Sequence, residues 1–187
     1  MNKGTNKRLE TYGLLYEERP EKERNDLMKI LHDASTPGDP EKFLDDLLQR
    51  PLFAHLSTVH EDGPRESPVW FLWENKEIWI LGNTQTDSFP ARIESEPRCA
   101  LGVVDFNPAT GLVQHAGIRG RGSLLVHDRE RVSRLFCKYM GAPEHWASRF
   151  TNVLGDPAWV LIRIIPETVV VRDQSYDRIN MGEEGLQ

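Results

Sequence analysis

Two periodicities divide this chain. From residue 52 onward, apolar positions alternate with polar ones or gather in short runs between turn residues, which marks strands. Interleaved stretches carry apolar residues three and four apart, which marks amphipathic helices. Asp39 and Pro40 read as cap and first residue of a helix with Phe43, Leu44, Leu47 and Leu48 as its inner stripe, ended by Pro51. Residues 52–59, 65–73 and 76–81 read as strands. The first link, His60-Glu61-Asp62-Gly63-Pro64, is a turn built on Asp-Gly, and the second is Glu74-Asn75. Links this short predict an antiparallel meander. A short helix over 88–96 is stopped by Pro97, and a strand follows over 98–106. Residues 112–126 are long for one strand, and Gly117, Gly120 and Gly122 predict a bend or bulge within it. A helix over 128–139 has Val132, Leu135, Phe136 and Tyr139 inward and Gly141 as its stop; another is expected over 143–154. Residues 158–165 and 168–171 finish the sheet.

The sum is a mainly β chain of α+β type, with about six antiparallel strands that close into a barrel and so leave no edge exposed. Residues 1–40 differ in texture. They are charged, lack period-two alternation and end in the breaker cluster Ser35-Thr36-Pro37-Gly38-Asp39-Pro40. Leu27, Ile30 and Leu31 have helical spacing, so a short helix over about 21–33 is expected in an otherwise loosely docked arm. The polar C-terminal tail is expected to fray.

Composition narrows the function. The formal net charge of -6 argues against general binding to nucleic acid or anionic membranes. The apolar runs are too short to span a membrane, and the opening MNKGTNKRLE lacks the apolar core of a secretory signal, so a cytoplasmic protein is expected. Cys99 and Cys137 form no disulfide framework or zinc spacing. The chain has no nucleophile elbow, no P-loop and no G-x-G-x-x-G, and its histidines are scattered, with no metal site expected.

Three stretches carry candidate chemistry. In Ser67-Pro68-Val69-Trp70-Phe71-Leu72-Trp73, strand alternation puts Val69, Phe71 and Trp73 on one face and Pro68, Trp70 and Leu72 on the other. One face fills the barrel; the other must cover a subunit or a flat cofactor. In Gly82-Asn83-Thr84-Gln85-Thr86-Asp87-Ser88-Phe89-Pro90, a strand ends in a polar loop that leads into a helix, an arrangement suited to a phosphate or simply to capping. In 114–122, His115, Gly117, Arg119 and Arg121 share one face. Small residues there leave room for a ring system, although a bent strand with solvated arginines is the plainer reading.

In this order, these segments resemble the pyridoxamine 5'-phosphate oxidase-like family of FMN-binding split barrels. The likeness runs over FLDDLLQRPLFAHLSTV, SPVWFLWENKEIWIL, ARIESEPRCAL, IRGRGSLLV and AWVLIRIIPETVVV. It implies a six-stranded split barrel over 41–176, flanked by the arm 1–40 and the tail 177–187. It also implies a homodimer with flavin at the subunit interface. Carried over by residue, Ser67, Pro68, Val69 and Trp70 would contact the isoalloxazine and ribityl chain, with Gly82 and Asn83 beside the flavin. His115 would lie near its pyrimidine edge, able to stabilise the reduced anion. Trp159, seven residues before Pro166, and Arg172 would complete the site. Thr86, Ser88 and Arg92 would approach the phosphate, with Arg65 or Thr84 in support. The family commonly has a basic pair here, where this chain has Ser88 and Phe89, so a lysine restored at 89 is expected to tighten FMN if it reaches the phosphate. The expected function is an FMN-dependent oxidoreductase acting on a small molecule of unknown identity. The alternatives are a sensory flavin dimer without turnover, or a barrel that binds haem or a deazaflavin.

Overall fold

The computed structural model describes residues 28–33, 36 and 38–177; residues 21–27 of the helix expected over 21–33 and the tail from 178 lie outside them. Helix α1 (Pro40–Gln49) starts as its sequence dictates. The Asp39 carboxylate accepts the Glu41 N–H at 2.9 Å, Pro40 occupies a position that needs no donor, and Leu44, Leu47 and Leu48 are fully buried. Eight strands follow or precede it: β1 (Lys29–His32), β2 (Ala54–His60), β3 (Gly63–Val69), β4 (Phe71–Glu74), β5 (Glu77–Asn83), β6 (Arg98–Asn107), β7 (Leu112–Leu125) and β8 (Trp159–Asp173). The remaining helices are α2 (Phe89–Ser95), α3 (Arg129–Met140) and α4 (Ser148–Val153).

The strands run in the order β3-β2-β6-β7-β8-β5-β4, every pair antiparallel, while β1 lies parallel to β8. The fold is mainly antiparallel β with flanking helices, and the described residues form eight strands where about six were expected. Two differences account for this. Residues 29–32 are strand rather than helix, because β8 offers them a ladder that the spacing of Ile30 and Leu31 does not reveal. The stretch 65–73 breaks at Trp70 into β3 and β4, which lie at opposite ends of the strand order. The meander is therefore two hairpins, β2–β3 and β4–β5, whose outer edges are joined by one residue.

Elsewhere 143–154 is not one helix. A single 3-10 turn (Pro143–His145) precedes α4. The two expected closing strands are one, β8, which runs through Pro166. That proline faces Gly120 at a register shift whose extra, unpaired residue is Glu167 of β8. The bulge anticipated within β7 lies instead on its partner β8, opposite Gly120, and Gly120 is required there. A Cβ on it would sit 2.1 Å from the Ile165 carbonyl oxygen.

Alternation sorts the side chains into two cores. Val69, Phe71 and Trp73 point into the barrel with Leu56, Ile80 and Ile164. Leu72 and Trp79 point outward and are covered by Val132, Leu135 and Phe136 of α3 and Val153 of α4, with Trp70 packed at the edge. The second apolar face of the 67–73 stretch is thus largely covered by the chain's own helices. No helix among the described residues is long and apolar enough to cross a membrane.

Replacing Gly120 with alanine should lower stability by about 1–3 kcal/mol, the usual cost of overpacking, because backbone must move to admit the methyl. Chemical denaturation checks this; an unchanged midpoint would mean that the bulge yields freely.

Candidate functional site

The chain crosses from β3 to β4 at Trp70, and α3 secures the crossing. The Phe71 N–H donates to the Tyr139 hydroxyl at 3.0 Å, and that hydroxyl donates to the Leu52 carbonyl at 2.7 Å. Lys138 Nζ donates to the carbonyls of Phe71 (2.9 Å) and Leu48 (2.8 Å) and lies 3.5 Å from the centre of the Phe71 ring. The Trp70 ring stacks on Tyr139 at 4.5 Å and 3° and on Phe150 at 5.7 Å and 13°. Burial pushes the Lys138 amine down to about 7, and no carboxylate pairs with it among the described residues.

Beside this crossing lies an apolar groove of about 440 Å³. Its lining brings together five of the residues expected at the site: Pro68, Val69, Trp70, Phe89 and Trp159. The only charged side chains in that lining are Asp87 and Arg149. Asp87 is committed, since its carboxylate accepts the Asn83 N–H at 2.8 Å.

In the loop after β5, the amides of residues 83–87 are already committed and do not form the phosphate cradle expected of them. Asn83 Oδ1 accepts from the N–H groups of Gln85 (2.8 Å) and Thr86 (3.3 Å). The N–H groups of Thr84 and Asp87 donate to the carbonyls of Ala158 and Asn83, both at 2.9 Å. Helix α2 is only seven residues long, and Ser88 makes no side-chain cap bond to it, so its dipole contributes little. Phe89 is buried in the barrel core, its ring close-packed on Gly82. A lysine at 89 would bury its ammonium there instead of reaching a phosphate, so the tightening expected of it does not follow.

The polar centre is Arg92. Its guanidinium donates to the hydroxyls of Ser88 (2.6 Å), Thr58 (2.7 Å) and Ser67 (3.5 Å). It has no carboxylate partner among the described residues. Burial first, and then the like charge of Arg65, hold it below the usual arginine range. Arg65 itself has Asp62 at 3.5 Å. Thr58 was missed from sequence although its inward position follows from the alternation Ala54, Leu56, Thr58 in β2. Lys138, Tyr139 and Arg149 carried no comparable signal.

His115 and Arg172 form a separate group. They are cross-strand partners on β7 and β8, and β2 and β6 stand between β7 and the β3 residues of the groove. Arg172 Nε lies 3.4 Å from Asp33. On the sheet face that carries His115, its β6 partner Val104 is 51% exposed and Phe106 is 58% exposed, while Phe53, at the start of β2, is 55% exposed. Gly102 and Gly117 are directly paired there, with open space beyond each α-carbon.

The sequence profile described as pyridoxamine 5'-phosphate oxidase matches residues 40–171. No curated protein matches the chain in sequence. Among solved structures, a conserved hypothetical protein of Mycobacterium tuberculosis superposes with a TM-score of 0.64 at 16% identity, covering 83% of this chain and 99% of its own. The haem storage protein HutZ of Vibrio cholerae gives 0.55 at 14% identity, covering 72% and 95%. An FAD-binding protein of Mesorhizobium loti gives 0.52 at 15% identity, covering 70% and 92%. At such identities these likenesses establish the shared fold.

Lys138 sets a pH dependence of stability. Its amine holds a proton up to the ordinary value of 10.5 when unfolded but only to about 7 when folded. Between those values unfolding takes up a proton, so the burden on the fold is complete below the folded value and fades as pH rises toward the unfolded one. Unfolding free energy should therefore gain from this group as pH rises through that window, and Lys138→Met should remove the gain. Parallel denaturation profiles for the two proteins would contradict it.

Proposed function

The chain belongs to the pyridoxamine 5'-phosphate oxidase family, and from that premise we propose that it is a flavin-dependent oxidoreductase, working as a homodimer on a small molecule. The cofactor is a phosphorylated flavin, FMN in its simplest form. The observation that carries this reading is Arg92, a half-buried guanidinium that three hydroxyls hold in place and that no carboxylate neutralises among the described residues. A cation desolvated beside a second cation lacks its counter-charge, and an anionic phosphate supplies it with charge-assisted bonds. The adjoining apolar groove, walled by Pro68, Val69 and Trp70, suits a flat ring system.

Bound flavin would contribute the redox chemistry, while the protein holds and orients it and keeps water away. His115 and Arg172 stand on the exposed face with Phe53, Val104 and Phe106, so a second chain docked there would bring them toward its partner's groove. From that position a His115 N–H would stabilise negative charge on a reduced ring. Haem is less well suited to the groove, whose described lining contains no His, Cys, Met or Tyr to ligate iron.

The purified protein is expected to be yellow, and its visible absorption should bleach under anaerobic NADH or NADPH if the flavin turns over. Colour that persists under both reductants would favour the sensory alternative. Arg92→Ala should weaken flavin binding by about 10- to 100-fold, the worth of a charged hydrogen bond of roughly 1.5–3 kcal/mol. Equal retention of flavin by Arg92→Ala would remove the phosphate from this place.

Light scattering should give twice the chain mass, and Val104→Glu with Phe106→Glu should halve it. A wild-type monomer at micromolar concentration would exclude the dimer.

A further inference from the structure

The apolar groove beside the crossing carries one uncommitted charge. Of its two charged lining residues, Asp87 already accepts the Asn83 N–H at 2.8 Å. Arg149 has no carboxylate partner among the described residues, and its guanidinium carbon lies 4.8 Å from the centre of the Phe150 ring. We infer that the substrate sharing this groove with the flavin is a flat, apolar carboxylic acid, with Arg149 as its anchor. This rests on the flavin reading above and names the class of molecule on which the flavin acts.

The first argument is the setting of that cation. Carboxylates outnumber cations in the chain, 29 against 23, and Arg50, Arg98, Arg121, Arg131 and Arg134 each stand against one. On open surface an arginine without such a partner is simply hydrated. Arg149 instead lies against a wall of rings, since Phe150 stacks on Trp70 at 5.7 Å and meets Phe136 edge-on at 5.4 Å. Stacking holds a guanidinium flat and leaves its N–H edge to grip a carboxylate through two parallel bonds. Apolar walls also strengthen the attraction by excluding water on their side. The cofactor does not use this cation, because its phosphate is assigned to Arg92, outside the lining, and an oxidised flavin ring is neutral.

The second argument is what the lining lacks. Besides Asp87 and Arg149, its only side-chain hydrogen-bonding groups are the indole N–H groups of Trp70 and Trp159. A sugar or polyol would leave hydroxyls unpaired there, at a cost for each. An amine would meet Arg149 with like charge. Arg149 is exposed, whereas Leu135 and Val153 in the same lining are buried. The groove thus offers an apolar interior to a ring and a charged rim to a single acid group.

Isothermal titration calorimetry of the purified protein with cinnamate and with its neutral counterpart cinnamamide tests this, in the wild type and in Arg149→Gln. Arg149 is exposed, so the substitution leaves the core intact, and circular dichroism verifies the fold. The wild type is expected to bind the acid about tenfold or more tightly than the amide, as a charge-assisted pair allows. Arg149→Gln should lose that preference, bind the amide as before and hold as much flavin as the wild type. Equal affinities in the wild type, a preference that survives Arg149→Gln, or failure of both compounds to bind would overturn the inference and leave the flavin reading standing. Loss of flavin from Arg149→Gln would assign the arginine to the cofactor and overturn the inference as well. A wild type that binds no flavin would overturn the flavin reading, and with it the acid as substrate, whatever the cinnamate titration shows.

Discussion

The structure depends on one covalent constraint: Val69 and Phe71, the ends of the two outermost strands, are separated by a single residue. A sheet whose edges are joined so closely must curl until they meet. It cannot pair them as ordinary neighbours, because one intervening residue cannot reverse the chain and lay the second strand beside the first. The outward N–H and C=O of Phe71 are met instead by the Tyr139 hydroxyl and the Lys138 ammonium. Two adjacent side chains of α3 thus do what a further strand would do, and backbone groups that would otherwise be orphaned are satisfied. That requirement explains why a lysine is tolerated in a place where burial strips much of its proton affinity.

The same crossing places the candidate site. Splitting the strand at Trp70 turns its indole away from the barrel and onto Tyr139 and Phe150, opening the apolar groove between strand and helices. Arg92 lies on the inner side of the same hairpin, where Ser67 and Thr58 alternate inward with Leu56 and Val69. Ring groove and anion cluster therefore share β3, which lends Pro68 and Val69 to the one and Ser67 to the other.

Much of this was legible in the sequence. Asp39, Pro40, Gly141 and the apolar stripes located α1 and α3, because caps and helical spacing act locally. The two-faced pattern of 67–73 was correctly sorted into Val69, Phe71 and Trp73 against Pro68, Trp70 and Leu72. What covers the second face could not be read, since α3 lies some sixty residues further along. β1 was misread because four residues hold too little pattern to outweigh a chance helical spacing, and its conformation comes from β8. Phe89 stands in the groove lining as expected, but sequence position at a helix start does not tell that its ring turns onto Gly82. Asn83 and its neighbours look like free donors in sequence; only the folded loop reveals that they satisfy one another.

β8 is the hydrogen-bonding partner of β7, β5 and β1, and it is the last strand of the described chain. During synthesis, therefore, the β4–β5 hairpin is made long before the strand that will sit beside it, with Ile78 awaiting Ile164. Its residues are buried on both faces in the finished molecule, so until β8 leaves the ribosome they present an adhesive, unpaired edge. Contacts so distant in sequence close slowly. The nascent chain thus passes through an interval in which holding chaperones have an evident target, and a truncation just before residue 159 would prolong that state indefinitely.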